Sequence, residues 1–143
     1  MEIINDYPPN YEELLKTFPL LETREVLITM GNKLYNPKEK NISDHQLIHE
    51  EQHGKRQLEH PEGLEGYIKQ YVNDRKFRFE MEAEAYGIQC AYILKKYGLP
   101  KYKKALHHYG QELAGPMYGS LSSYDYAVYH IKKYANQTID GQN

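Results

Sequence analysis

The pattern of apolar and polar positions predicts a short helix at 11–16, then a short β-hairpin, then a series of helices. Residues 25–30 form a run rich in β-branched side chains, and a second extended run at 33–35 follows the turn-forming pair Gly31-Asn32. The fold class predicted is mainly α with a small β part (α+β). After a loop, helical spacing and capping signals predict the following helices: 44–59, 64–72, 75–97, 101–113 and 123–134.

Capping residues mark the ends of the two long helices that carry the candidate chemistry. Ser43 and Gln46 have the spacing of a capping box at the start of the helix 44–59. Asp74 is placed to cap the helix 75–97, which a glycine and a proline then end. Both helices are therefore predicted with defined boundaries.

The length and composition fit one domain. The chain has 143 residues, 40% hydrophobic and 27% charged, so we expect a single domain over 1–143. Its core is expected at about 25–97, with a C-terminal helical part at about 100–136. The tail at 137–143 is polar and is predicted to be frayed.

Charge and cysteine content argue against several classes of function. The formal net charge of −2 gives no overall basic field for nucleic acid, and no apolar run approaches the roughly 20 residues that cross a bilayer. Cys90 is the only cysteine, so an internal disulfide and a thiol-rich zinc site are both excluded. We therefore expect no nucleic-acid or membrane partner and a cytoplasmic location. The oligomeric state stays open.

The helix 44–59 carries the string His49-Glu50-Glu51-Gln52-His53, an H-E-x-x-H motif. Two histidines four residues apart lie on one helix face, so their imidazoles can converge on one tetrahedral zinc ion. Glu50 lies close enough to activate a zinc-bound water as a general base. His45 also precedes His49 by four residues and could extend the cluster, but a histidine near a helix start is more often solvated or a capping group.

A zinc ion held by two histidines needs a third protein ligand, and the helix 75–97 offers three acids. Glu80 and Glu84 lie four residues apart on one face, near an apolar stripe expected to point inward. Glu82 is about 200° from Glu80 around the helix and is predicted to be solvated. Glu80 and Glu84 could instead lie on a wet helix edge, paired with basic neighbours such as Lys76.

The two motifs together resemble the gluzincin metallopeptidases, in which H-E-x-x-H is followed by E-x-x-x-D/E on a later helix. The second motif here is Glu80-Met81-Glu82-Ala83-Glu84. The resemblance implies that Glu80 is the third zinc ligand and that Glu84 orients a zinc-bound histidine from behind. The family usually has Asp at the outer position, so the choice between Glu80 and Glu84 as third ligand stays open.

The order of hairpin, H-E-x-x-H helix and glutamate helix over residues 25–97 resembles the single-domain minigluzincins. The string from His49 to Tyr86 also resembles small zincin-like proteins of phages and bacteria. This resemblance implies a zincin-like fold in a bacterial or phage-infected host cell, and a zinc-dependent peptidase acting on a peptide or protein. Two alternatives are a structural or partner-binding zinc protein without proteolysis, and a latent form whose cleft is plugged by a terminal segment, for which the polar tail and the Tyr-rich helix 123–134 are the candidates.

Other parts of the chain offer weaker candidates. The hairpin at 26–35 could bind an extended substrate by strand addition or could be a small structural sheet. No spacing rule identifies the residue that would donate to the oxyanion in peptide hydrolysis. A residue of each candidate type more often has a packing or surface role than this one. These candidates are His107, His108, Tyr118 and Tyr124.

Overall fold

The computed structural model describes residues 1–23 and 26–141 and is mainly helical, with a small mixed sheet. Its strands are β1 (Glu2–Ile4), β2 (Ile28–Met30) and β3 (Lys33–Tyr35). Its helices are α1 (Tyr11–Thr17), α2 (Asp44–Glu59), α3 (Gly63–Asn73), α4 (Arg75–Tyr97), α5 (Leu99–Ala114) and α6 (Tyr124–Gly141). Single 3₁₀ turns lie at Pro19–Glu22 and Pro116–Tyr118.

The sheet has the order β1-β3-β2, so β3 lies in the centre. β2 and β3 form the predicted antiparallel hairpin, and Gly31 takes a φ of 63°, which suits the first position of a type II′ turn. Glu25, where the first predicted run begins, lies outside the described residues. β1 was not predicted, because it pairs in parallel with a strand about 30 residues away and leaves no local signal.

α4 is the central helix, and α5 and α6 pack on one of its sides. Gly87 makes the contact with α6 close, since a Cβ there would lie 2.5 Å from the Cβ of Tyr134. The main apolar cluster forms between these three helices. Its largest fully buried members are Cys90, Leu113 and Ile131.

α2 packs against a second side of α4, and side-chain hydrogen bonds join the two helices near both ends of α2. At the start, Asp44 Oδ2 accepts hydrogen bonds from Lys96 and Tyr97 at the end of α4 (2.5 and 2.8 Å). Near the other end, Arg56 donates to both carboxylate oxygens of Glu84, each over 2.7 Å. The two helices therefore run antiparallel, and the H-E-x-x-H segment lies between the two contacts.

The predicted boundaries of α2 and α4 are confirmed, including the capping box of Ser43 with Gln46 and the Asp74 cap. The predicted fraying of the tail is wrong for residues 137–141, which continue α6. Ile139 packs against the apolar cluster one turn beyond Ala135, and this contact extends the helix. Residues 142 and 143 lie outside the described residues.

Among the helices of residues 1–23 and 26–141, none combines the length and the apolar character that crossing a membrane requires.

Candidate metal centre

The two histidines of the H-E-x-x-H motif point from α2 into the protein. Both side chains are buried, with His49 6% and His53 8% exposed. Their Nε2 atoms lie 3.1 Å apart, because residues four apart on a helix project from the same face. Two imidazole nitrogens this close together can bind the same ion, so they supply two of the four positions of a possible tetrahedral site.

The carboxylate that joins them is that of Glu82 on α4. Its Oε1 atom lies 3.1 Å from His53 Nε2 and 3.3 Å from His49 Nε2. Glu82 is 4% exposed, and a buried carboxylate is costly unless it is paired or binds a metal. In the described part of the chain, these three residues form a buried group that could hold a metal ion.

The spacing of the three donor atoms fits a tetrahedral ion. A zinc ion bound at 2.0–2.1 Å sets neighbouring ligand atoms about 3.3 Å apart, which follows from the tetrahedral angle. The three donor atoms found here are 3.1, 3.1 and 3.3 Å apart. The triangle formed by His49, His53 and Glu82 is therefore close to the face of a zinc coordination tetrahedron, with the fourth corner left for another group.

The structure corrects the sequence-based assignment of the acids on α4. The prediction that Glu82 is solvated is wrong, because α4 is buried on two sides and Glu82 faces α2. Glu80, predicted as the third ligand, lies outside the group of possible ligands, and its charge acts instead on His130 and Tyr134 of α6. Among the described residues, Glu82 and not Glu80 is the acid of α4 that joins the two histidines.

Within the described part of the chain, Glu84 makes no hydrogen bond to His49 or His53, although its predicted orienting role requires one. Gln52 donates to its Oε1 over 2.8 Å, and Arg56 binds both of its oxygens. Burial raises the pKa of Glu84, but the hydrogen bonds from Arg56 and Gln52 outweigh it and lower the pKa overall. Glu84 is thus one half of an ion pair that joins α2 to α4.

Each possible ligand is held from behind by a neutral polar side chain that the sequence did not single out. The Oε1 atom of Gln89 lies 3.1 Å from His49 Nδ1, and the Tyr71 hydroxyl donates to Glu82 Oε2 over 2.6 Å. The Tyr67 hydroxyl lies 3.4 Å from His53 Nδ1. Outer partners of this kind fix the orientation of metal ligands and sharpen their affinity.

Gln89 also determines which nitrogen of His49 faces the centre. Its Nε2 group faces two acceptors, His45 Nδ1 at 2.8 Å and the Tyr109 hydroxyl at 2.9 Å. Its carbonyl oxygen is then left to accept the Nδ1 proton of His49. That tautomer leaves the lone pair on His49 Nε2, the atom in the donor triangle. His45 therefore lies behind the centre rather than within it.

The charges of the centre are strongly coupled. Burial alone would lower the pKa of His53, but the adjacent Glu82 carboxylate outweighs it and raises that pKa to about 9. Burial likewise acts to raise the pKa of Glu82, and the two histidines reverse the effect and hold it well below its usual value. At neutral pH the pair is therefore a Glu82 carboxylate beside a protonated His53, and a metal ion that binds here displaces the His53 proton.

Glu50 lies beside the donor triangle and is oriented by the hairpin. The Thr29 hydroxyl of β2 donates to Glu50 Oε2 over 2.6 Å. The same strand is tied to α2 by Gln57, whose amide donates to the Thr29 carbonyl and accepts the Gly31 N–H. Gly54 permits this approach, since a Cβ there would collide with the Gly31 carbonyl oxygen. The hairpin therefore fixes the acid of the H-E-x-x-H motif.

The three donor residues and Glu50 line a cleft of about 680 Å³. This volume is in the range of pockets that bind small molecules or peptide side chains. β2 lines the cleft on one side, so the hairpin borders the site whichever of its two predicted roles it has. Of the four predicted oxyanion donors, His108 and Tyr118 line the cleft, whereas His107 pairs with Tyr124 at the surface.

No terminal helix fills the cleft in the described part of the chain. α6, which we predicted as a possible plug, does not contribute to the described lining. The N-terminal segment lines the cleft instead, through Leu14, Phe18 and Leu21. These residues come from α1 and the 3₁₀ turn that follows it.

Comparison with known proteins gives no relative from which a function could be transferred. No family model, no curated protein and no solved structure matches the chain. The function has to be inferred from the arrangement of its own residues.

Proposed function

We propose that this protein is a zinc-dependent peptidase in which His49, His53 and Glu82 hold the ion and Glu50 is the general base. The observation that carries the proposal is the donor triangle with edges of 3.1–3.3 Å, set in the wall of a cleft that Glu50 also lines. The hairpin beside α2, with α4 supplying the glutamate, supports a zincin-like arrangement.

The donor set favours zinc and a catalytic rather than a structural site. Two imidazoles and one carboxylate suit zinc, and three protein ligands leave one position for water or substrate. When bound, zinc supplies a Lewis acid that polarises a carbonyl group and makes water nucleophilic near neutral pH. The buried, oriented ligands hold the ion, and the adjoining cleft admits the bond to be cut.

Glu50 moves the proton in this mechanism. Its carboxylate takes a proton from the attacking water and then delivers it to the nitrogen of the leaving amine, so one proton is carried in each turnover. The hydrogen bond from Thr29 holds the carboxylate in one rotamer during both transfers. The hairpin thus holds Glu50 in position.

Of the two predicted oxyanion donors that line the cleft, Tyr118 is linked to the donor triangle by fewer contacts than His108. Its hydroxyl lies 2.7 Å from that of Tyr86, whose ring is centred 4.4 Å from the His49 ring. Tyr118 also lines the cleft. Burial raises the pKa of Tyr118 well above its usual value, so the hydroxyl keeps its proton and can donate it in a hydrogen bond.

The test compares Glu50→Gln with Glu51→Gln, an exposed acid in the same motif. Both variants are expected to bind one zinc ion per chain, measured by metal analysis. Glu50→Gln should lower kcat on a cleaved library peptide by about 10²- to 10⁴-fold, whereas Glu51→Gln should not. Undiminished cleavage by Glu50→Gln would refute the mechanism. Bound zinc without cleavage of any peptide by the wild type would favour a non-proteolytic zinc protein.

A further inference from the structure

The cleft has two chemically different ends, one on each side of the donor triangle. On the side of His53 and Glu82, contacts run outward through Tyr71 to Phe18, whose rings are centred 5.9 Å apart. On the side of His49, contacts run through Tyr86 to Tyr109, whose rings stack at 4.7 Å. The metal centre therefore separates two subsites that a bound chain would occupy together.

The first end, here called the apolar subsite, is formed by Leu14, Phe18, Leu21, Ile68 and Tyr71. Four of these five side chains have no polar atom, and the Tyr71 hydroxyl is already engaged by Glu82. Nothing in this set can pair with a charged side chain, and burying an unpaired charge is costly. The apolar subsite therefore selects against charged groups.

The opposite end is lined by polar side chains. His108, Tyr109 and Glu112 come from α5, and Gln46 precedes His49 on α2. A substrate segment on this side can keep its backbone and polar groups hydrogen-bonded. The contrast between the two ends gives the cleft a direction, because the apolar subsite suits a large apolar group better than the polar end does.

We infer that the protein cuts peptide bonds directly beside a large aliphatic or aromatic residue, whose side chain fills the apolar subsite. This inference rests on the proposed peptidase function. The N-terminal segment supplies three of the five walls of the subsite, so this segment sets the preference. Leu14 is the most useful position to change, because α1 contains no buried residue and a substitution there leaves the core intact.

Binding measures the preference without requiring turnover. The zinc-loaded wild type is titrated calorimetrically with hydroxamates that share one backbone and differ in one side chain: benzyl, isobutyl, hydrogen, carboxymethyl or aminobutyl. The benzyl and isobutyl compounds should bind about 10- to 100-fold more tightly than the hydrogen compound, as expected for burying one such side chain. Equal affinities across the series would overturn the inference, whether or not the protein cleaves peptides.

Two charge variants locate the subsite. Leu14→Asp should weaken benzyl binding at least tenfold and favour the aminobutyl compound, whereas Leu14→Lys should favour the carboxymethyl compound. Tyr129→Asp, at a 65% exposed position on α6, is the matched control and should leave the order unchanged. Identical preferences in all three variants would show that the N-terminal segment does not form the subsite and would overturn the inference.

Peptide cleavage then separates this inference from the proposed function. In a fluorogenic library, cleavage beside Leu or Phe should exceed cleavage beside Asp, Lys or Gly by about 10- to 100-fold in kcat/KM. Cleavage without a side-chain preference would contradict the apolar subsite and leave the peptidase function standing. Selective binding of the benzyl hydroxamate without any cleavage would contradict the peptidase function alone.

Discussion

The sharpest test of the metal centre is to exchange the two acids that sequence and structure assign differently. Glu82→Gln keeps the size of the side chain and an acceptor for the Tyr71 hydroxyl, but it removes the anionic ligand atom 3.1 Å from His53 Nε2. Glu80→Gln makes the same chemical change two residues away, outside the donor triangle. The structure predicts that only the first variant loses zinc affinity.

The size of the loss can be bounded from the contacts. Removing an outer partner of a metal ligand costs about 10- to 100-fold in affinity, and removing a ligand itself must cost more. Glu82 supplies one of three donors and the only negative charge among them. Its replacement is therefore expected to raise the zinc Kd by more than about 100-fold, or about 2.8 kcal/mol.

Competition with a chromophoric chelator measures this Kd at neutral pH, with far-UV circular dichroism to show that each variant is folded. The reasoning is refuted if Glu80→Gln weakens zinc binding and Glu82→Gln does not, since that result would restore the gluzincin spacing. Equal, undiminished affinity in both variants would show that the ion binds elsewhere.

Three further predictions concern the surroundings of the centre. Gln89→Leu removes the acceptor of the His49 Nδ1 proton and should raise the zinc Kd by about 10- to 100-fold in the same competition assay. Gly54→Ala puts a methyl group against the Gly31 carbonyl and should destabilise the fold by about 1–3 kcal/mol in urea unfolding, whereas Gly141→Ala meets no neighbour within 4 Å and should not. The pKa of Asp44 is held below its usual value of 3.8 by hydrogen bonds, first from Lys96 and then from Tyr97 and Tyr92. The stability that this carboxylate contributes is therefore complete above that pH and is lost as the pH falls through the folded-state pKa. The difference in Tm between wild type and Asp44→Asn should accordingly shrink below about pH 4.

Each of these has an outcome that would contradict it. Unchanged zinc affinity in Gln89→Leu would mean that His49 holds its tautomer without the amide. Equal stability of the Gly54→Ala and Gly141→Ala proteins would mean that the hairpin is not pressed against α2. A Tm difference for Asp44→Asn that stays constant from pH 7 to pH 2.5 would mean that the carboxylate is not paired in solution.

The parts of the fold predictable from sequence are those that local signals define. Ser43 and Gln46 are three residues apart, as a capping box requires, and they fix the start of α2. Asp74 and Gly98 bound α4 in the same way. The histidine pair follows directly, because positions 49 and 53 of one helix must share a face.

The third candidate ligand, Glu82, could not be found by the same reasoning, because its position depends on how many sides of α4 are buried. The prediction assumed that only one apolar stripe of α4 points inward, and Glu82 does not lie on that stripe. In the structure α4 packs against α2 on one side and against α5 and α6 on the other, so a second, polar face is also buried. Arg78, Glu82 and Gln89 lie on that face at spacings of four and seven. The small residues Ala83, Ala85 and Gly87 were the signal that α4 has close neighbours on several sides.

Contacts between distant segments also could not be predicted from the sequence. Tyr67 and Tyr71 support the centre from α3, and nothing in their local sequence distinguishes them from the other tyrosines of a chain that has 15. Only the packing of α3 beside α2 and α4 gives them this role.

The two contacts that join α2 to α4 have a consequence for how a metal ion would bind. Asp44 and Arg56 are twelve residues apart, about 18 Å along the helix, and both bind α4 through side chains outside the donor triangle. His49 and His53 lie between these contacts, and the apolar cluster with α5 and α6 forms without them. We therefore expect chelation to leave the secondary structure and cooperative unfolding intact, unlike in a zinc finger, where the metal folds the chain. A metal ion should then bind and leave without unfolding the protein. Cobalt could therefore replace zinc, and its visible spectrum would report the geometry of the centre.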